Sequence, residues 1–246
     1  MVLKCLGSGS SGNCYILEAA DGEKLIIECG IPFRAIKQGL KYNLRGVVGC
    51  LVSHRHQDHS KALQDVLRCG IRVLSIKDVF VSQNAQKSPF CKIIEPMHGY
   101  AVGKFKVFVL DVVHDVPCVG FIIGHEEMGK LLFITDTMML EYQLPRLNHI
   151  MIEANYSDAI LQDNIDHGII PAAMRERLLH SHMELQTCKE FLRANDLSNV
   201  NEIVLLHLSG NNSNPFDFIK QVKDITGKPV YVACKGIELS MNLTPY

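Results

Sequence analysis

Apolar residues along this chain gather into short runs bounded by Gly, Pro, Asn and Asp, and most of these runs have the length and composition of strands. Val2 to Leu6 reads as a first strand. Cys14 to Glu18 and Lys24 to Cys29 read as a pair joined across Asp21-Gly22, a strong hairpin signal. Between the first strand and this pair, Gly7 to Asn13 is a loop of small residues whose backbone can approach another group closely. Helical spacing, opened by a proline, runs from Pro32 to about Tyr42. Val47 to Val52 is a fully apolar run, hence a buried strand. Ser60 to Arg68 follows as a short helix stopped near Gly70, and Val73 to Ile76 as the next strand. Phe105 to Val113 alternates and then turns wholly apolar. Gly120 to Ile123 and Leu131 to Ile134 pair around a turn over 126–129, and Ile150 to Ile152 is a further strand. Helices are predicted over Pro171 to Leu179 and Glu184 to Ala194, with His180, Ser181 and His182 in the break. Ile203 to Leu206 is a strand, Pro215 to Ile225 the last helix, and Val230 to Ala233 closes the sheet.

One polar stretch changes the picture. Directly after the run ending at Val52 comes Ser53-His54-Arg55-His56-Gln57-Asp58-His59, with three imidazoles and a carboxylate between positions 54 and 59. Neutral imidazole suits zinc and similar transition metals, and a carboxylate widens the choice toward manganese. Alternation along an extended segment places His54, His56 and Asp58 on one side, with His59 reaching the same centre as the chain turns. A surface loop that happens to be rich in histidine is the plain alternative, but so many ligand-type side chains in so short a span point to a metal site. Three other apolar strands also end in a candidate ligand, namely His114, Asp136 and His207. Strand carboxyl ends are where turns converge over a rigid core. His98, His125, His149 and His167 lack that context and read as surface or structural histidines.

Composition sets bounds without redirecting the reading. With 246 residues, 47% hydrophobic and 21% charged, the chain fits an ordered soluble protein of one large α/β domain or two small ones. A formal net charge of −1 gives no global attraction to nucleic acid, so polyanion binding needs a local basic surface. Nine cysteines, odd in number and without a C-x-x-C pair, fit reduced thiols. No signal-like or membrane-spanning apolar stretch is present, so a cytoplasmic protein without a membrane partner is expected. The Gly7 to Asn13 loop lacks the Gly-Lys-Ser/Thr ending of a phosphate-binding loop and no helix follows it, which excludes nucleotide binding there. Arg34, Lys37, Lys41 and Arg45 read as a solvated basic face.

His54-Arg55-His56-Gln57-Asp58-His59, followed in order by His114, Asp136 and His207, resembles the five-motif signature of the metallo-β-lactamase fold. The resemblance covers essentially the whole chain. It implies an α/β (α+β) architecture, a four-layer αββα sandwich, as a single domain over residues 1–246 with a two-metal site at one edge. Three strings narrow it: Leu6 to Asn13, His114 to Phe121 and His207 to Asn212 resemble the bacterial single-domain YycJ/WalJ-type proteins, implicated in DNA 5′-exonuclease activity. The second string is also similar to tRNA 3′-processing endonucleases of the ribonuclease Z type.

Carried over by position, the family pattern implies His54, His56 and His114 on one metal, Asp58, His59 and His207 on the other, and Asp136 bridging. The 71 positions from Asp136 to His207 (207 − 136) are too few for the inserted domain of the β-CASP nucleases. Glu28 stands where the family commonly has Asp, and Ser181 to Leu185 only partly matches the Gly-His-Leu-Ser-Asn string of close relatives.

The implied chemistry is hydrolysis. Two divalent ions, zinc or manganese, lower the pKa of a shared water and neutralise charge on phosphoryl oxygens. Asp58 counts among the catalytic residues as well as the ligands. His182 is the candidate proton donor to the leaving oxygen, the plain alternative being a helix cap, and Glu153 orients an imidazole nearby. A nucleic-acid substrate, DNA more than RNA, is the first expectation, with Arg55, Lys61, Arg175 and Arg177 either contacting phosphates or merely solvated. The competing expectation is a thioester, lactone or lactam hydrolase using the same two metals. A non-catalytic binding module fits the full ligand set poorly.

Overall fold

The computed structural model describes residues 1–244. The amino-terminal half contains β1 (Val2–Gly7), β2 (Cys14–Glu18), β3 (Lys24–Ile27), α1 (Phe33–Gly39), β4 (Val47–Leu51), α2 (Gln57–Ser60), α3 (Leu63–Arg68), β5 (Val73–Ser75), α4 (Lys77–Ser82) and β6 (Cys91–Ile93). There follow β7 (Gly99–Val102), β8 (Phe105–Val112), β9 (Cys118–His125), β10 (Gly129–Ile134), β11 (His149–Glu153), α5 (Asp158–Asp166), α6 (Ala173–Ser181) and α7 (Leu185–Ala194). The chain ends with β12 (Glu202–Leu206), α8 (Pro215–Thr226), β13 (Val230–Val232) and β14 (Glu238–Ser240). One sheet has the order β14-β1-β2-β3-β4-β5-β6 and the other β13-β12-β11-β10-β9-β8-β7.

Period-two alternation explains the layers. In β10, β11 and β12, Phe133, Met151 and Val204 turn inward to a core shared with Leu3, Tyr15 and Leu25 of the first sheet. The rings of Tyr15 and Phe133 meet edge to face across this core, with centroids 5.6 Å apart. Intervening residues Leu132, Ile150, Ile152, Ile203 and Leu205 turn outward against Leu185, Cys188 and Phe191 of α7 and Phe218 and Val222 of α8. Strands covered on both faces need apolar side chains at every position, which is why these three read as unbroken hydrophobic runs. On the far side of the first sheet, α1 buries Ile36, α3 buries Val66 and Leu67, and α4 buries Val79 and Phe80. The result is the expected four-layer αββα sandwich.

Several local expectations need correction. Ser60 to Arg68 is two short helices, α2 and α3, rather than one. His180 and Ser181 complete α6 instead of breaking it, and His182 is the cap residue in extended conformation. The unanticipated α4, α5, β6, β7 and β14 are short or solvent-facing; α5, for example, buries only Leu161. No helix among the described residues is long and apolar enough to cross a membrane.

Candidate metal centre

Beyond Leu51 the chain leaves β4 extended through buried Ser53 and His54, then coils into α2. Asp58 and His59 therefore sit on a helical turn, with side chains about 100° apart. The extended alternation expected to carry Asp58 alongside His54 and His56 does not persist that far. The turn is fixed by backbone contacts from distant positions. Asn13 donates its N–H to the Asp58 carbonyl at 2.7 Å, Cys29 donates to the His59 carbonyl at 2.9 Å, and Gly30 donates to the Asn13 carbonyl at 2.9 Å. These chains touch so closely that a Cβ on Gly30 would lie 1.6 Å from the Asp58 carbonyl oxygen, and one on Gly12 would lie 2.5 Å from that of Gly30. The glycine-rich loop is thus the floor beneath the histidine turn.

The second sheet supplies the remaining groups. β10, β11 and β12 are mutually parallel, and β8 runs the same way through two antiparallel steps. Their carboxyl ends deliver His114, Asp136, Glu153 and His207 to one edge of the sandwich. Asp136 and His207 adopt left-handed backbone conformations, with φ of 46° and 54°, which swing them off the strand direction. Such residues cost on the order of 1 kcal/mol or more and cluster where a site demands them.

Three overlapping donor sets result, each with its atoms within 4.8 Å of one another: His54, His56, His114 and Asp136; Asp58, His59, Asp136 and His207; and Asp136, Glu153, His182 and His207. In the first, His56 Nδ1 lies 3.0 Å from His54 Nε2 and 3.3 Å from His114 Nε2. In the second, Asp58 Oδ2 lies 3.5 Å from His59 Nε2 and 3.4 Å from His207 Nε2, and Asp136 Oδ2 lies 3.4 Å from His59 Nε2. A tetrahedral ion with bonds near 2.1 Å has donor–donor edges of about 3.4 Å, so these gaps suit a shared cation. One proton on His56 Nδ1 can serve only one of the two nitrogens facing it, whereas a cation satisfies all three. The residues present therefore fit a divalent metal pair.

The imidazoles are aimed from behind, as metal-binding histidines usually are. His114 Nδ1 donates to the Ser181 carbonyl at 2.8 Å, Ser53 Oγ lies 2.9 Å from His54 Nδ1, and a Glu28 oxygen lies 3.5 Å from His59 Nδ1. The Asn155 amide donates to the His207 carbonyl at 2.7 Å and lies 3.0 Å from His207 Nδ1. The Asn13 amide nitrogen also comes within 3.0 Å of His59 Nε2. His182 Nδ1 is 2.7 Å from Glu153 Oε1, and its ring stacks on His207 with centroids 5.2 Å apart. The other Glu153 oxygen accepts from the Thr137 and Met183 N–H groups at 3.1 Å each.

Charge is crowded here. Burial acts against ionised Asp58, yet hydrogen bonds from His207 and His59 hold its carboxyl well below the usual range. Asp136, fully buried, is likewise held down by His207 and His59. Burial alone lowers an imidazole, but Asp136 and Glu28 raise His59, and Asp136, Asp58 and Glu153 push His207 up to about 10. Glu153 raises His182 against burial in the same way. His54 goes the other way, lowered by burial and by His59, and His114 is lowered by burial. Protons on His59 and His207 thus balance carboxylates that cations would otherwise balance.

The structure brings His54, His56, Asp58, His59, His114, Asp136, Glu153, His182 and His207 together. Of the four cations considered, Arg55 pairs with Asp78 at 3.3 Å and Arg175 with Asp158 at 2.6 Å, while Lys61 is exposed and Arg177 lines the site cleft. His98 and His167 are exposed, His125 packs on Phe105, and buried His149 binds Glu202 at 2.6 Å. Sequence reasoning passed over Asn13, Ser53, Asn155 and Asp115, whose carboxylate lies 3.0 Å from His114 Nε2. Asp115 and Ser53 each adjoin a candidate ligand, which was the available signal; Asn13 stood only at the end of the Leu6 to Asn13 string, and Asn155 carries none.

No protein-family model matches the chain. It is 27% identical over 194 residues to the exodeoxyribonuclease YycJ of Bacillus anthracis, covering 71% of this chain and 69% of that protein. Among solved structures it is similar to the metallo-β-lactamase fold protein YhfI of Bacillus subtilis, with a TM-score of 0.75 at 16% identity over 97% of this chain and 99% of the other. The short form of human tRNase Z superposes with a TM-score of 0.62 at 14% identity, covering 98% and 99% of the two chains. The facing sheets, the ligand-bearing strand ends along one edge and these likenesses agree, and the chain is a protein of the metallo-β-lactamase fold.

Proposed function

We propose that this chain is a hydrolase that uses two divalent cations, zinc or manganese, to cleave phosphodiester bonds in nucleic acid, DNA in preference to RNA. The observation that carries this reading is a pair of donor sets sharing Asp136, with the His182–Glu153 hydrogen bond facing the same cleft. Similarity to an exodeoxyribonuclease supports DNA over a small neutral substrate. Nine free cysteines support a reducing compartment, hence the cytoplasm. The core shared by both sheets supports one domain over the length of the chain.

His54, His56 and His114 would hold one cation and Asp58, His59 and His207 the other, with Asp136 a member of both donor sets. When bound, the pair supplies Lewis acidity at the phosphoryl oxygens and a water of lowered pKa. The protein does the rest. His182 keeps Nδ1–H on Glu153, which leaves Nε2 to carry a proton to the leaving oxygen. Glu153 raises the basicity of His182 against its burial, which favours the protonated imidazole. Burial of Glu153, fixed by the Thr137 and Met183 N–H groups, holds the imidazole in one orientation.

The test offers the purified protein labelled single-stranded DNA, duplex DNA, RNA and a generic thioester, each with zinc or manganese. DNA cleavage that a chelator abolishes is expected. Turnover of the thioester alone overturns the reading.

A further inference from the structure

We propose that Arg177 anchors the substrate backbone, and that the strand leaves the catalytic centre along α6 rather than across the more negative cavity on the His114 side. This rests on the nucleic-acid reading above and adds a direction and an anchoring residue to it.

The site cleft, about 310 Å³ in volume, is lined by Ser10, Asp58, Asp136, His182 and His207, among others. Arg177 is its one arginine or lysine among the described residues. The guanidinium is exposed and has neither ion pair nor hydrogen bond among the described residues, where the Arg177 backbone carbonyl accepts from Ser181 Oγ at 2.6 Å. Neighbouring arginines are committed elsewhere. Arg175 is held by Asp158 at 2.6 Å and Gln162 at 2.7 Å, and Arg55 by Asp78. An unpaired guanidinium beside a site built for phosphoryl chemistry is positioned to fork onto a phosphate, which Arg does with two parallel hydrogen bonds.

The flank on the His114 side has a different balance of charge. A cavity of about 630 Å³ shares His114 and Asp115 with the site; its wall carries Asp111, Asp115 and Lys77 together with Asp78, whose charge is already met by Arg55 at 3.3 Å. Apolar Val113, 53% exposed, and Pro117 complete the wall. With Asp58 and Asp136 of the cleft set against the proposed cations, Asp111 and Asp115 facing Lys77 leave this flank the more negative of the two, while its apolar surface accommodates an uncharged nucleoside. The negative strand is therefore steered toward α6.

The test measures steady-state cleavage of a fluorescein-labelled single-stranded oligonucleotide by the metal-loaded protein over a range of salt concentrations. Arg177→Ala raises KM about tenfold with kcat within about twofold, and the salt slope of log(1/KM) falls by about 0.7, the share of one phosphate contact on a single strand. Arg177→Lys keeps the charge but not the fork, so it restores the salt slope while regaining only part of the KM, a partial rescue that a purely structural role would not give. Asp111→Asn leaves KM within about twofold, since the strand does not pass it. An unchanged KM and salt slope in Arg177→Ala overturns the anchoring role, as does a loss confined to kcat. A several-fold fall in KM for Asp111→Asn overturns the direction. If the unaltered protein cleaves no oligonucleotide at all, the proposed function fails and this inference fails with it.

Discussion

Replacing Gly30 by alanine tests whether the backbone floor beneath the histidine turn sets the geometry of the centre. The new Cβ would stand 1.6 Å from the Asp58 carbonyl oxygen, 2.0 Å from its carbon and 2.6 Å from the His59 nitrogen. All three are main-chain atoms, so no side-chain rotation relieves the clash. The Asp58–His59 peptide must retreat by about 1.4 Å merely to leave 3.0 Å between Cβ and oxygen. Metal–ligand distances tolerate only about 0.2 Å, and a 1 Å misplacement of reacting groups costs about 10²-fold in rate. In the proposed centre Asp58 and His59 serve one cation, whereas His54, His56 and His114 lie outside the displaced peptide. Gly30→Ala is therefore expected to bind one equivalent of metal instead of two, measured by elemental analysis after desalting, and to lose at least about 10² in cleavage rate. Overpacking costs about 1–3 kcal/mol, so the far-ultraviolet circular dichroism should remain that of a folded protein. A folded Gly30→Ala variant carrying two ions with undiminished turnover refutes the reasoning.

Other expectations address separate parts of the centre. Asp58→Ala and His59→Ala each abolish measurable hydrolysis while the protein stays folded; retained turnover rejects the assigned ligands. Glu28→Gln removes the charge 3.5 Å from His59 Nδ1 and weakens metal affinity about 10–100-fold, read by competition with a chromophoric chelator. Because His207 is pushed up to about 10, the metal-free protein holds a proton there at pH 8 and surrenders it when a cation takes the nitrogen. Calorimetric titration with zinc in two buffers of different ionisation enthalpy should then report net proton release, and a buffer-independent heat contradicts it. Glu153→Gln leaves the metal content unchanged but lowers kcat about 10²-fold as His182 loses its charged partner, and full activity in that variant removes the pair from the mechanism.

The sandwich was legible because β10, β11 and β12 are buried on both faces and so declare themselves as unbroken apolar runs. The ligands were legible because His54 to His59 are crowded in sequence and the others stand at the ends of those same runs. What stayed hidden depends on contacts between distant segments. The coil of α2 is imposed by Asn13, Cys29 and Gly30, more than twenty positions away, so nothing local marks where extended backbone gives way. The role of Glu28, visible in sequence only as a departure from Asp, emerges when its carboxylate accepts from the Ser53 N–H and faces His59. Short edge strands such as β6 and β14 carry too little periodicity to be read before their partners are known.

The division of ligands between the sheets has a consequence for biosynthesis. β4 and α2 emerge early and complete a histidine cluster, but Asp136 and His207 arrive only when the opposing layer is made. A nascent chain halted before position 207 lacks one corner of the second donor set, so filling of that set by a cation would follow, not guide, the arrival of β12. Once seated, the proposed ions would rivet together segments separated by roughly 150 residues, from His54 to His207, and chelation should loosen the whole sandwich rather than one loop.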